Sequence, residues 1–297
     1  MRNKTKLTGN HPVFNIIAYT FISIVAFVCL LPFLLVVSGS ITEESAIFRY
    51  GFTLIPREIS FHAYEIIFRA PEAILRAYGV TIFITVTGTV VGLFITAMTA
   101  YVLYRKDFKY RNVFSFFFYF TTLFSGGLVS YYIFMVRHLQ IQDTYFALIL
   151  PLLLNVFFLL IMRSFMNSIP FSIVESAKID GAGDFTIFTR IVLWIITPAL
   201  AAIGLFIALA YWNDWFNAML FIDDHRMYPL QYMLYRIINN VRFASAMTAR
   251  AGVPAPRMPQ QSIQLAMTVV ATGPIIFLYP FLQKYFVKGI TIGAVKG

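Results

Sequence analysis

The chain has 297 residues, of which 59% are hydrophobic and 12% charged, against about 25% charged in ordinary globular domains. Such a chain cannot cover its surface with polar groups, which excludes a soluble globular domain and a charge-rich disordered one. The net charge is nevertheless +10, from 23 Lys and Arg against 13 acids, an excess to be tested against membrane topology before nucleic acid is considered.

A bilayer core about 30 Å thick needs roughly 20 apolar residues in a helix. Six stretches qualify: Val13–Ser38, Val80–Tyr104, Val113–Val136, Tyr145–Met162, Ile191–Tyr211 and Ile263–Leu282. They predict an all-α polytopic membrane protein with six transmembrane helices. The first stretch is longer than the 7–15 residues or so of a signal-peptide core, so it is expected to be an uncleaved anchor. None of the six contains Asp, Glu, Lys, Arg or His. Polar and apolar residues do not alternate, which disfavours a β-barrel.

The loops sort the charge. With the N-terminus in the cytoplasm, residues 1–12, 105–112, 163–190 and 283–297 carry 13 Lys and Arg against 4 acids. The opposite side, residues 39–79, 137–144 and 212–262, carries 10 against 9. The density of basic residues is about twice as high on the first side, the bias that orients membrane helices. The segment from Arg105 to Arg111 is the clearest such loop and reads as an orientation signal without a partner. The +10 therefore reports topology, and nucleic acid is not an expected partner.

Along the spans, Pro32, Pro151, Pro198, Pro274 and Pro280 lie in or at the ends of helices and are expected to kink them. Gly88 and Gly92 form a G-x-x-x-G in the second span, which permits close helix contact. Ser125-Gly126-Gly127 in the third span is expected to bend it or to let a neighbour approach. The neutral polar residues, among them Thr81, Thr85, Thr89, Thr96 and Asn155, are expected to hydrogen-bond between helices or to line a pathway for a neutral solute. Cys29 has no second cysteine to pair with and is expected to be a small buried or lipid-facing residue. Ion-coupled transport would require ionisable groups at midplane. A metal or hydrolytic site would require His and carboxylate clusters, a P-loop or a G-x-S-x-G. With all of these absent from the sequence, the energy source is expected on another polypeptide.

The most informative segment runs from Ser168 to Phe185. Pro170 ends the preceding element, and Ser172 with Glu175 three residues on suggests a capping box. Gly181 and Gly183 are expected to release the chain through positive φ, and Asp184 to cap the next helix. A short surface helix results, with a small-residue face at Ala177, Gly181 and Ala182 around which a partner's groove is expected to close.

Glu175-Ser176-Ala177-Lys178-Ile179-Asp180-Gly181-Ala182, followed by Phe188, Ile191, Leu193 and Pro198, resembles the EAA loop of ABC-importer permeases. Ser176 stands where the family pattern has its second-position Ala, and Trp194 where it has a first proline. Tyr211-Trp212-Asn213-Asp214-Trp215-Phe216-Asn217 and the tail from Val287 through Gly289 and Gly293 to Val295-Lys296-Gly297 resemble the carbohydrate branch with MalG-type subunits. The similarity extends to LplC/YtcP-like permeases, a group associated with complex oligosaccharides.

The resemblance implies a type I ABC-importer permease fold. Its organisation would be a cytoplasmic N-terminus at 1–12, a first helix at 13–38, an extracellular segment at 39–79 and a permease core at 75–283. The core would contain the EAA loop at 170–187 and an outer loop at 212–262, with a cytoplasmic tail at 284–297. The implied partners are a second homologous permease, two ATPase subunits that bind ATP and Mg, an extracellular solute-binding protein and the bilayer of a bacterial cell membrane. No cofactor is expected on this chain. Glu175, Ser176, Ala177, Asp180, Gly181 and Ala182 are the implied ATPase-coupling residues, and Gly293, Val295, Lys296 and Gly297 the implied ATPase-contacting tail. Tyr228, Gln231 and Asn239 are candidates for sugar or binding-protein contact, and Asn155, Trp212 and Asn213 for the pathway. Competing readings are an ABC permease for a non-sugar solute, a membrane scaffold or regulatory subunit, and an intramembrane enzyme, which has no catalytic constellation to support it.

Overall fold

The computed structural model describes residues 12–69, 71–250 and 259–276. Among these the chain is helical, with one isolated antiparallel bridge between Thr42 and Ile59. The chain divides into two compact units, residues 1–69 with 238–272, and residues 70–237 with 273–297.

In the first unit α1 (Pro12–Ser40) is a 29-residue helix that continues through Pro32. Its side chains from Val13 to Val37 are mostly apolar and exposed, Cys29 included. A helix apolar on every face needs lipid or another apolar surface around it. Its C-terminal end is anchored, because Ser38 Oγ donates to the Thr53 carbonyl at 2.6 Å and Ser40 Oγ lies 2.9 Å from Tyr64 Oη. The segment that follows folds into α2 (Glu44–Tyr50) and α3 (His62–Ile67). The buried Glu44 carboxylate accepts from Gln261 N, Ser262 N and Ser262 Oγ, each at 2.9 Å. It thus satisfies orphan donors in the first turn of the helix at residues 260–276, where a negative charge is favourable.

The second unit contains α4 (Pro71–Tyr104), α5 (Arg111–Leu123), α6 (Gly127–Ile133), α7 (Tyr145–Ile149), α8 (Val156–Met166), α9 (Phe171–Ile179), α10 (Asp184–Ile187), α11 (Leu193–Ile195), α12 (Thr197–Trp212) and α13 (Phe216–Phe221). It ends in the first turns of α14 (Leu230–Arg250). The long helix α4 is the axis. It starts at Pro71, ahead of the expected Val80, and its 34 residues make a rod of about 51 Å. Against it α8 and α12 bury a core that includes Ala97, Ala100, Leu159, Met162, Ala199, Ile203 and Tyr211.

The spans are less regular than their hydropathy suggests. Among the described residues two helices, Val13–Ser40 and Pro71–Tyr104, are long and apolar enough to cross a membrane alone. Three further candidates are broken pairs, bent by 115° between Arg111–Leu123 and Gly127–His138, by 49° between Tyr145–Leu152 and Val156–Met166, and by 85° between Asp184–Ile195 and Thr197–Trp212. Counting each pair as one span gives up to five. The expected sixth, 263–282, continues beyond residue 276 and so lies partly outside the described residues. Each break has a local cause. Phe124 turns extended and Gly127 takes φ +80°. Pro151 sits in a tight turn at Leu150–Leu152, and Pro198 opens α12 after Ile196 leaves helical geometry.

The G-x-x-x-G of α4 serves the second of these breaks. A Cβ on Gly88 would lie 2.3 Å from the Tyr211 ring, and one on Gly92 2.8 Å from the Leu153 carbonyl oxygen. Through the space left by Gly88, Tyr211 Oη donates to the Ile149 carbonyl at 2.7 Å, pairing an acceptor at the end of α7. The threonines of α4 correct the expectation of general interhelical bonding. Thr81 Oγ1 accepts from Leu230 N at 2.8 Å, but the buried hydroxyls of Thr85, Thr89 and Thr96 have no partner among the described residues.

Candidate functional site

The segment singled out by its motif is α9 with the turn that follows. The expected capping box does not form: α9 begins at Phe171 behind Pro170, with no side-chain cap. Ser172 is then already inside the helix, past the position from which a hydroxyl reaches the free N–H groups. Asp184 likewise is the first residue of α10, and Gly183 precedes it with φ −70°, so neither acts as expected. The C-terminal exit does form. Gly181 takes φ +81°, Ala182 N donates to the Ala177 carbonyl at 2.9 Å, and Gly181 N donates to the Lys178 carbonyl at 3.0 Å. This pair of bonds is the Schellman motif.

Orientation corrects a second expectation. Val174 and Ala177 are buried and pack into the core with Tyr101, Tyr104, Ile187 and Phe188, so Ala177 belongs to the inner face and is not open to a partner. Ala182 is half-buried, while Glu175, Ser176, Asp180 and Gly181 are exposed. Between them Ile179 is 86% exposed. An apolar side chain held in solvent at the end of a charged face is the feature of this site that motif reading missed. Its signal was present, because helical spacing puts Glu175 and Ile179 on one face opposite Val174 and Ala177.

The second omission is larger. Arg105, expected only to orient the chain, is almost buried, with 6% of its side chain exposed. Its Nε and Nη2 donate to the two carboxylate oxygens of Asp107. Its Nη1 donates to Asp184 Oδ1 at 2.6 Å and to Tyr101 Oη at 2.7 Å. Lys178 of α9 donates to Asp107 Oδ2 at 2.7 Å and lies 3.8 Å from Asp184. The fork geometry suits a guanidinium, which can engage two carboxylates in fixed directions. The bonds to Asp107 push the Arg105 pKa further up against the opposing effect of burial. Hydrogen bonding from Arg105 and then Lys178 holds the Asp107 carboxyl well below the usual carboxylate range. The folded-state pKa is depressed, so this pairing is complete above the ordinary aspartate range and fades only as pH falls below it. The end of α4, the 105–110 loop, α9 and α10 are thereby joined through one charge network. Tyr104 Oη adds a bond to the Ile169 carbonyl at 3.1 Å, just before α9.

The other sequence-selected residues fall elsewhere. Asn155 N-caps α8, accepting from Phe157 N at 2.9 Å and Phe158 N at 3.4 Å. Trp212 is buried at the end of α12. Asn213 donates to the Leu209 carbonyl at 2.9 Å and accepts from Gln231 at 3.4 Å. Tyr228 donates to the Asp223 carbonyl at 3.0 Å, accepts from Arg236, and starts a row of rings. Tyr228 meets Tyr232 edge-on at 4.8 Å, Tyr232 stacks with Tyr235 at 6.5 Å, and Tyr235 with Trp215 at 4.5 Å. Asn239 lies on the part of α14 that belongs to the first unit. Gly293, Val295, Lys296 and Gly297 lie outside the described residues. Among the described residues no group of His, Cys, Asp or Glu is placed to hold a metal ion.

No protein-family model matches the chain. It is 41% identical over 287 residues to protein LplC of Bacillus subtilis, covering 96% of this chain and 95% of that one. It is 39% identical over 285 residues to the polygalacturonan/rhamnogalacturonan transport system permease protein YtcP of the same organism, covering 96% and 99%. The fold matches a chain of a bacterial ABC transporter involved in importing the acidic polysaccharide alginate, with a TM-score of 0.75 and 30% identity, over 94% of this chain and 98% of that one. With near-complete coverage at this identity and a shared helical architecture, the chain belongs to the permease subunits of carbohydrate ABC importers, integral membrane proteins whose ATP is hydrolysed by partner ATPases.

Proposed function

We propose that this permease moves an oligosaccharide into the cell and receives the force for it at α9. Its partners would be a second homologous permease, two cytoplasmic ATPases that bind ATP and Mg, and an extracellular solute-binding protein. Both termini would be cytoplasmic, in keeping with the charge bias of the loops. Glu175, Ser176, Ile179 and Asp180 would face an ATPase cleft, while Ala177 holds α9 to the core and Gly181 fixes its exit. The tail residues Gly293, Val295, Lys296 and Gly297 would contact the ATPases. The supporting observation is the charge network: a helix tied to α4 through Lys178, Asp107 and Arg105 can pass displacement to a long span, where a loose loop would absorb it.

On the opposite side, the ring row from Tyr228 to Trp215 suits the apolar faces of pyranose rings, and the Gln231 and Asn213 amides suit hydroxyl groups. Asn239, Asn155 and Trp212 remain pathway or loop candidates of the same proposal. Two relatives handle acidic polymers by name, YtcP and the alginate importer, which makes uronate-containing oligosaccharides the first substrates to try.

The test is sugar-stimulated ATPase activity of the reconstituted importer. Space around Gly181 is open, so bulk does not decide the outcome there. Its positive φ does, and a β-branched residue meets the largest penalty. Gly181→Val should weaken the exit by about 1–2 kcal/mol and reduce stimulation severalfold, while Gly181→Asn, which tolerates this conformation, should retain most of it. Equal stimulation in wild type and Gly181→Val, with α9 intact, would remove the coupling role.

A further inference from the structure

A cavity of about 260 Å³ opens between α4 and α5 next to the 105–110 loop. Met98, Thr99 and Val102 line it from α4, Phe108 from the loop, and Phe114 and Phe118 from α5. Phe108 stacks on Phe114 at 5.9 Å. Apart from Thr99 these walls are apolar, and around them α5 exposes Phe116, Phe117 and Phe120, the surface of a helix that faces hydrocarbon.

Two cationic residues, Lys109 and Arg111, stand in the chain beside the residues that line this cavity, and Lys109 Nζ lies over the Tyr110 ring at 5.8 Å. Arg111 opens α5 and precedes Phe114 and Phe118 by three and seven residues, so helical spacing places all three on one face. Lys109 adjoins Phe108 in the chain. Among the described residues neither Lys109 nor Arg111 takes part in an ion pair. Two acids of the adjoining charge network are already engaged, Asp107 by Arg105 and Lys178 and Asp184 by Arg105. Lys106 lies over the Phe171 ring of α9 at 5.3 Å and takes no part in this site. An apolar slot ending in uncompensated cations at the end of a membrane span matches a molecule with an acyl chain and an anionic headgroup.

We propose that this cavity binds one anionic phospholipid, its acyl chain between α4 and α5 and its phosphate at Arg111 and Lys109. The site adjoins the charge network, since Val102 and Phe108 also line the hollow that contains Arg105, Asp107 and Asp184. A lipid seated there would brace the loop from the side opposite α9.

The test uses the assembled importer in nanodiscs of phosphatidylglycerol mixed with phosphatidylcholine, followed by detergent exchange and quantification of retained lipid by native mass spectrometry. The wild type should keep one phosphatidylglycerol in preference to phosphatidylcholine. Lys109→Gln/Arg111→Gln should lower retention about fivefold for each cation removed, and Thr99→Phe should lower it by filling the acyl slot. Added inorganic phosphate should not displace the lipid, because it lacks the chain. Equal retention of the two lipids would overturn the proposal. So would full retention in the double variant, or loss in the double variant with full retention in Thr99→Phe. The double variant is confined to exposed or half-buried positions next to the span, so it remains informative even if Thr99→Phe fails to assemble.

Discussion

Replacing Arg105 with glutamine is expected to cut sugar-stimulated ATP hydrolysis of the assembled importer by about tenfold, within the range of ordinary coupling energies. ATPase subunits should still co-purify. Arg105 is almost buried and hydrogen-bonds both Asp107 and Asp184, whereas Lys178 bonds Asp107 and approaches Asp184 only to 3.8 Å. Glutamine keeps one donor group and loses the charge, leaving two carboxylates near each other with only Lys178 between them. Those carboxylates are 47% and 64% exposed, so water takes up much of the loss. The stability cost should stay near 1–3 kcal/mol and leave the fold standing. Arg105→Lys should recover part of the coupling, because one ammonium cannot reproduce the fork that engages two acids. The Asp107 carboxylate should stay ionised throughout the neutral range, since hydrogen bonds from Arg105 and Lys178 hold its carboxyl below the usual range. Undiminished stimulation in Arg105→Gln would mean that α9 acts independently of α4.

Gly88→Val is expected to lower the yield and thermal midpoint of the purified permease more than any other single substitution along α4. Even the first carbon of a side chain would fall 2.3 Å from the Tyr211 ring, and Tyr211 is fully buried. The ring cannot retreat without surrendering its 2.7 Å bond to the Ile149 carbonyl. Overpacking of this kind costs about 1–3 kcal/mol, and a buried unpaired carbonyl adds about 1–3 kcal/mol. Gly79→Ala is the control: no atom lies within 4 Å of its Cβ position, so it should match the wild type or exceed it slightly. Fluorescence-detected size-exclusion chromatography after heating distinguishes these outcomes. A Gly88→Val protein as heat-resistant as wild type would show that Tyr211 has another place to go.

Sequence and structure differ most where distant residues meet. The family was legible because the pattern from Glu175 to Ala182 is local and specific, and the carbohydrate branch because of the segment from Tyr211 to Asn217 and the tail from Val287 to Gly297. The exit at Gly181 was legible for the same reason: a glycine just past a helix fits the left-handed geometry that other residues resist. The capping box was misplaced because Pro170 starts the helix early, a choice between two local signals that spacing cannot decide. The face of α9 was misassigned because Ala177, small and exposed on paper, turns towards Tyr101 and Phe188.

What the sequence determined by itself was the solvent, the class of transporter and the position of the short helix α9 with its glycine exit. Twenty-odd apolar residues in a row specify lipid whatever they pack against, and a nine-residue helix with its glycine exit is written within one stretch of chain. Only the tertiary structure decided that Arg105 also joins separate elements, because its partners Asp107 and Asp184 lie 2 and 79 residues away. Only the structure also decided that Gly88 and Gly92 make room for Tyr211 and Leu153. A charge or a glycine has a local meaning until folding brings its partner beside it, and that partner sets the energy of the contact.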